Sequence, residues 1–153
     1  MRGYLAPALT HTTRTLDLIA EAGFTYTCDL FQDDQPQPIR VKTRRLISMP
    51  YSLEVNDHYM LGVYGQTAAQ YVDTLKRQLD VLLEEGEESG TVMCVPLHAY
   101  LIGRAHRLAP FEELLRYVRS LQDDVWITRA GDIADHYLEH HYDDVAKAQG
   151  IAA

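Results

Sequence analysis

The sequence predicts an α/β fold with a largely parallel sheet, on three observations. Short apolar runs rich in β-branched and aromatic residues alternate with stretches whose apolar positions recur at helical spacing. Cap and turn residues fall between them, with no repeat, low-complexity tract or interdomain linker. A hydrophobic content of 46% suffices for a real core, since a chain of about 150 residues hides roughly 68–70% of its unfolded surface.

Four runs read as strands. FTYTCDL (24–30) has the β-branched and aromatic bias of one. LISMPYSLEV (46–55) is a second, in which Pro50 forces a bulge, an edge or a break. TVMCVPLHAYLI (91–102) begins as a buried strand, and VWITR (125–129) is a short late one. A further strand is read as ending at the N-terminal segment that holds Arg2, Tyr4 and Pro7.

The intervening stretches read as helices. In THTTRTLDLIAEAG, Leu16, Ile19 and Ala20 share a face and Gly23 supplies the stop. In TAAQYVDTLKRQLDVLLEEG, Ala68, Val72, Leu75, Leu79, Leu82 and Leu83 recur at helical spacing. Thr67 and Gln70 match a capping box there, and Gly86 follows the last apolar turn. APFEELLRYVRSL places Pro110 in the first turn and turns Phe111, Leu114, Leu115, Val118 and Leu121 inward. AGDIADHYLEHH gives a last short helix, and the tail from 143 to 153 is expected to fray.

Charge narrows the partners. The net charge is −8, from 14 basic and 22 acidic residues, which argues against nucleic acid because phosphate binding needs a basic face. The basic run IRVKTRR lacks interleaved aromatics and reads as a solvated loop or strand edge. No apolar run approaches the roughly 18–20 residues needed to span a membrane. Cys28 and Cys94 sit in apolar runs and read as reduced core residues, consistent with a cytoplasmic protein.

Functional residues of an α/β fold gather at the C-terminal ends of strands, and several candidates fall there. His98 closes VMCVPLH, where an imidazole can protonate a leaving group; the alternative is a satisfied structural histidine. Arg2 has the planar fork for a carboxylate, against a plain surface role. Asp29, Asp33 and Asp34 follow a strand in CDLFQDDQP, placed either to orient a histidine or arginine or to make a turn. Asp57 ends VND, a similar polar strand end. Trp126, the only tryptophan, walls a ligand pocket or fills a core or rim. His136 and His140 stand one helical turn apart with His141 adjacent, but no cysteine or carboxylate is placed to complete a metal site. P-loop, GxGxxG, GxSxG and paired CxxC motifs are absent.

The order of these segments carries a resemblance. An arginine–aromatic–proline segment, EAGFTYTCDLFQDDQP, SMPYSLEVND, a long helix, GTVMCVPLHAYLIGRAHR and VWITRAGDIADHY follow one another over roughly residues 2–142. This resembles the C-terminal part of the polysaccharide deacetylase (NodB-homology) family, nearest its allantoinase-related branch. The resemblance implies part of a distorted (β/α) barrel, lacking its N-terminal strands, and hydrolysis of non-peptide C–N bonds. It assigns Arg2 to orient the catalytic base, Asp34 or Asp33 to tune the histidine, and His98 to act as general acid. Tyr4, Asp33, Asp57, His106 and Trp126 are the expected substrate contacts. Gln35 departs from a tryptophan and Ala99 from a proline that relatives often carry, and His106 stands out in GRAHR.

No strand end or histidine pair here takes the place of the family's first two motifs, which supply the base and the metal ligands. No metal or other cofactor is therefore assigned to this chain; a divalent ion such as zinc is left to a full-length parent. The expectation is the back half of a barrel enzyme, inactive or nearly so alone, whose parent acts on a small amide, ureide or acetylated sugar. A half barrel has open edges, so a homo-oligomer or a complementing N-terminal half is expected. The competing class is a degenerate interaction or ligand-binding module.

Overall fold

A computed structural model describes residues 2–151. They fall into two compact units, one made of residues up to Tyr51 together with those from Thr128 onward, the other Ser52–Ile127. No linker was legible in the sequence, because the chain passes between the units without a change in composition.

The first unit is built on a four-stranded sheet. Its strands are β1 (Gly3–Tyr4), β2 (Tyr26–Thr27), β3 (Gln37–Ile39) and β4 (Leu46–Ser48), in the order β1-β2-β4-β3. β1, β2 and β4 run parallel, and β3 lies antiparallel to β4 with Pro38 opposite Ile47. α1 (Thr15–Glu21) connects β1 to β2 and stops where Gly23 takes a φ of 89°, a conformation that favours glycine.

Strand alternation serves both faces of this sheet. Leu46 joins Ile19 and Ala20 of α1 in one cluster. Ile47 joins Ala134 and Tyr137 of α4 (Ala130–His140), and Tyr142 and Ala146 of α5 (Tyr142–Ala148), in another. A strand buried on both sides reads as nearly continuous apolar sequence, and in LISM only Ser48, itself buried, is polar. α5 corrects the expected frayed tail. Tyr142 and Ala146 are 2% and 3% exposed and anchor residues 142–148 to the core; Ala152 and Ala153 lie outside the described residues.

The second unit is mainly helical. α2 (Ala68–Glu85) opens on the capping box read from Thr67 and Gln70, with both reciprocal hydrogen bonds formed. Val72 and Leu75 of α2 pack on Leu114 of α3 (Leu108–Ser120), with Val55, Met60, Leu61 and Ile102 completing the cluster. Leu115, expected inward, is 53% exposed, because the buried stripe of α3 follows Phe111, Leu114 and Val118.

Two expected strands did not form. Residues 91–98 and 125–129 make no ladder with any described strand, and β-rich sequence alone cannot supply a neighbour. The run 46–55 ends as a strand at Ser48. Beyond Pro50 it becomes a 3-10 turn at Leu53–Val55 and then a π-helical turn at His58–Val63.

Candidate active site

The chemical centre of the second unit is a carboxylate–imidazole pair, Asp57 and His98. Asp57 stands between the 3-10 turn and the π-helical turn, fully buried at 0% exposure. Its backbone N–H donates to Pro96 O at 3.2 Å, which docks it beside residues 91–98. Its Oδ2 accepts the His98 backbone N–H at 2.8 Å, and its Oδ1 meets His98 Nδ1 at 2.6 Å. One carboxylate therefore fixes both the main chain and the ring of His98. A buried charge is tolerated when it is paired and hydrogen-bonded in this way.

The rest of the imidazole is accessible. His98 has a side-chain exposure of 36%, and with Nδ1 engaged, Nε2 is the nitrogen left to meet a substrate. The ring of His58 lies 5.8 Å from it and that of Tyr100 5.4 Å, centroid to centroid. His58 is oriented by its own turn, its N–H donating to Asn56 Oδ1 at 2.8 Å. π-helical turns are rare and concentrate at functional sites, and this one begins one residue after Asp57. Behind the pair, Tyr71 donates to Val55 O at 2.9 Å. Burial, and then the Asp57 charge, push its phenol well above the ordinary tyrosine value. Burial likewise raises the Cys94 thiol.

The family resemblance assigned the tuning of His98 to Asp34 or Asp33. The structure gives the histidine a different carboxylate, Asp57, which had been named only as a substrate contact. Asp33 makes turn contacts instead, accepting from Gln35 N at 3.2 Å and Gln37 Nε2 at 3.1 Å, and Asp34 lies exposed in the same turn. Asp29 is buried; its Oδ1 accepts the Ala6 N–H at 2.7 Å and ties the end of β1 to β2.

Arg2 is also placed differently. It precedes β1 instead of ending it, so it stands at the N-terminal side of the parallel strands. Its guanidinium pairs with Asp135 and donates to Gly131 O at 2.9 Å, holding the start of α4. Tyr4 packs edge-on against Phe24 at 5.7 Å, within the α1 cluster. His106 sits in an exposed 3-10 turn, Ala105–Arg107, and Trp126 is 60% exposed. His58, Tyr100 and Asn56 were missed; the one sequence signal for His58 was its adjacency to VND.

No group of three His, Cys, Asp or Glu side chains among the described residues could hold a metal ion. His136, His140 and His141 stack ring on ring, the first two at 4.6 Å.

No family model and no curated protein sequence matches the chain. Solved structures do. A crystal structure of Puue allantoinase matches at a TM-score of 0.76 with 34% identity, over 86% of this chain and 44% of its own. A probable polysaccharide deacetylase from Pseudomonas aeruginosa PAO1 matches at 0.76 with 35% identity, over 84% and 44%. The chain carries part of the polysaccharide deacetylase fold. A third such structure, a putative polysaccharide deacetylase from Mycobacterium smegmatis, covers 98% of this chain at 26% identity and a TM-score of 0.76. The chain spans 44% to 50% of the length of these deacetylase-fold structures. The resemblance read from SMPYSLEVND and VMCVPLHAYLIGRAHR thus stands with a structural likeness, and both segments contribute to the Asp57–His98 pair.

Proposed function

We propose that this chain supplies the proton-donating side of a hydrolase acting on non-peptide C–N bonds, with a small amide, a ureide or an N-acetylated sugar as substrate. The observation that carries this reading is the 2.6 Å contact between His98 Nδ1 and a fully buried Asp57. The allantoinase and deacetylase names of the matching structures support the reaction class.

Hydrolysis adds water to the acyl carbon and breaks its bond to nitrogen, which leaves as an amine once protonated. His98, protonated on both ring nitrogens, gives its Nε2 proton to that nitrogen as the C–N bond breaks. The neutral ring that remains keeps its Nδ1 proton toward Asp57. Asp57 holds the tautomer and the ring plane, and its charge stabilises the imidazolium before transfer. The exposed rings of His58 and Tyr100 flank the path of the leaving group. A positioned acid of this kind contributes about 10²–10⁴ in rate.

Activation of water is assigned to the part of the fold that this chain does not span, and the four-stranded sheet to a segment of a distorted (β/α) barrel. No helix of the described residues is long and apolar enough to cross a membrane. Cys28 and Cys94 form no disulfide, which suits the cytoplasmic setting we assign to the chain. Acetate, ammonia and ureide release, assayed with the chain alone and combined with the missing part of the fold, tests the reading. The chain alone should turn over little or nothing, and the combination should lose about 10²–10⁴ in rate on His98→Ala. Robust turnover by the isolated chain, or full turnover by the variant, contradicts it. A second reading, a non-catalytic ligand-binding module, expects any phenotype to survive His98→Ala.

A further inference from the structure

Three imidazoles of the first unit lie together at the C-terminal end of α4, and the proposed chemistry uses none of them. His136 and His140 are one helical turn apart, so their side chains share a face. That face is the outward one: Ala134 and Tyr137 are buried on the core side, whereas His136 and His140 are exposed. Their ring centroids stand 4.6 Å apart, with the ring planes at 56°. His141, the cap residue of the helix, lies 5.4 Å from His136 and 6.3 Å from His140.

These separations decide which rings can share an ion. A divalent metal sits about 2.0–2.1 Å from an imidazole nitrogen, and hence roughly 3.2 Å from the ring centroid. Two rings at adjacent corners of a square, an octahedron or a tetrahedron around one ion then have centroids about 4.5–5.2 Å apart. The His136–His140 pair falls in that window. The His140–His141 pair falls well outside it, so the three rings do not converge, in keeping with the lack of any three-donor group among the described residues. Two further features favour a cation at the pair. The last turn of a helix carries the negative end of its dipole, and His140 is the last residue of α4. The Glu139 carboxylate lies 3.8 Å from His140 Nε2 and adds negative charge beside it.

We propose that His136 and His140 form a two-imidazole chelate for a borderline divalent transition ion of the Ni²⁺ and Cu²⁺ class. Water fills the rest of the coordination sphere, and His141 stays outside it. Imidazole suits these ions, whereas Mg²⁺ and Ca²⁺ prefer oxygen donors. An ion held by both rings ties the two ends of one helical turn together, and by mass action it stabilises the folded chain. The inference is independent of the hydrolase reading, because it is read as binding and needs no turnover.

Isothermal titration of the 153-residue chain with Ni²⁺ tests it. One ion should bind per chain at neutral pH, and the affinity should fall as the pH falls, because protons compete for the same nitrogens. His136→Gln and His140→Gln should each weaken binding about tenfold or more, since either leaves a single imidazole at the site. His141→Gln, and His106→Gln in the second unit, should change it less than about twofold. All four positions are exposed, so circular dichroism should show each variant folded. Ni²⁺ should also raise the urea midpoint of the parent chain and leave that of His140→Gln where it was. Unchanged affinity in the His136 or His140 variant would overturn the proposal, because it means adventitious binding by separate surface imidazoles. So would loss of binding with His141→Gln, or a parent chain that binds no Ni²⁺.

Discussion

At Asp57 a single buried carboxylate serves two donors of His98, so its side chain bears on stability as well as on the proposed chemistry. Truncation by Asp57→Ala leaves the His98 N–H unsatisfied and should cost about 1–3 kcal/mol, read as a lowered urea midpoint at unchanged slope. Arg2 makes the contrast. It pairs with Asp135 at an exposed site, 44% and 58% exposed for the two side chains. Arg2→Ala should therefore change stability by no more than about 1 kcal/mol; a larger loss would mean that Arg2 carries more than a helix anchor. His98 was legible as a candidate because it closes an apolar run. Its partner was not, since positions 57 and 98 meet through tertiary folding and the acidic CDLFQDDQP turn is the louder local signal.

Tyr71 ties α2 to the turn beneath the site. Its phenol is held neutral by burial, and Tyr137 of α4 is likewise pushed up to about 12. A folded value above the unfolded one of 10.0 stabilises the protein fully below that pH, and the contribution is lost as pH rises through the folded value. Ultraviolet titration of the 10 tyrosines should therefore proceed in more than one step. Tyr71 and Tyr137 should ionise later, together with alkaline unfolding. Ionisation of all ten in one reversible step would contradict the packing of both. The helices were largely legible, because capping and periodicity are local: Thr67–Gln70 formed the expected box. Strands were legible only in composition. LISM found a parallel neighbour in β2 and an antiparallel one in β3, whereas VMCVPLH, also mostly apolar, pairs with no described strand.

At the scale of the whole molecule, the sequence reading of one domain became two units, each with its own apolar clusters. Periodicity cannot reveal this, because both units draw on the same alternation of apolar runs and helices. The order of motifs did reveal the deacetylase fold, and the Asp57–His98 pair is where we propose that it bears on chemistry. The most direct test of that pair is nitrogen–proton correlation NMR of the histidine rings in the isolated chain. His98 should show a proton fixed on Nδ1 and shifted downfield by the Asp57 carboxylate, and Asp57→Asn should abolish that signal while the other histidines keep theirs. A His98 ring with no proton on Nδ1, or one that is unaffected by Asp57→Asn, would contradict the account.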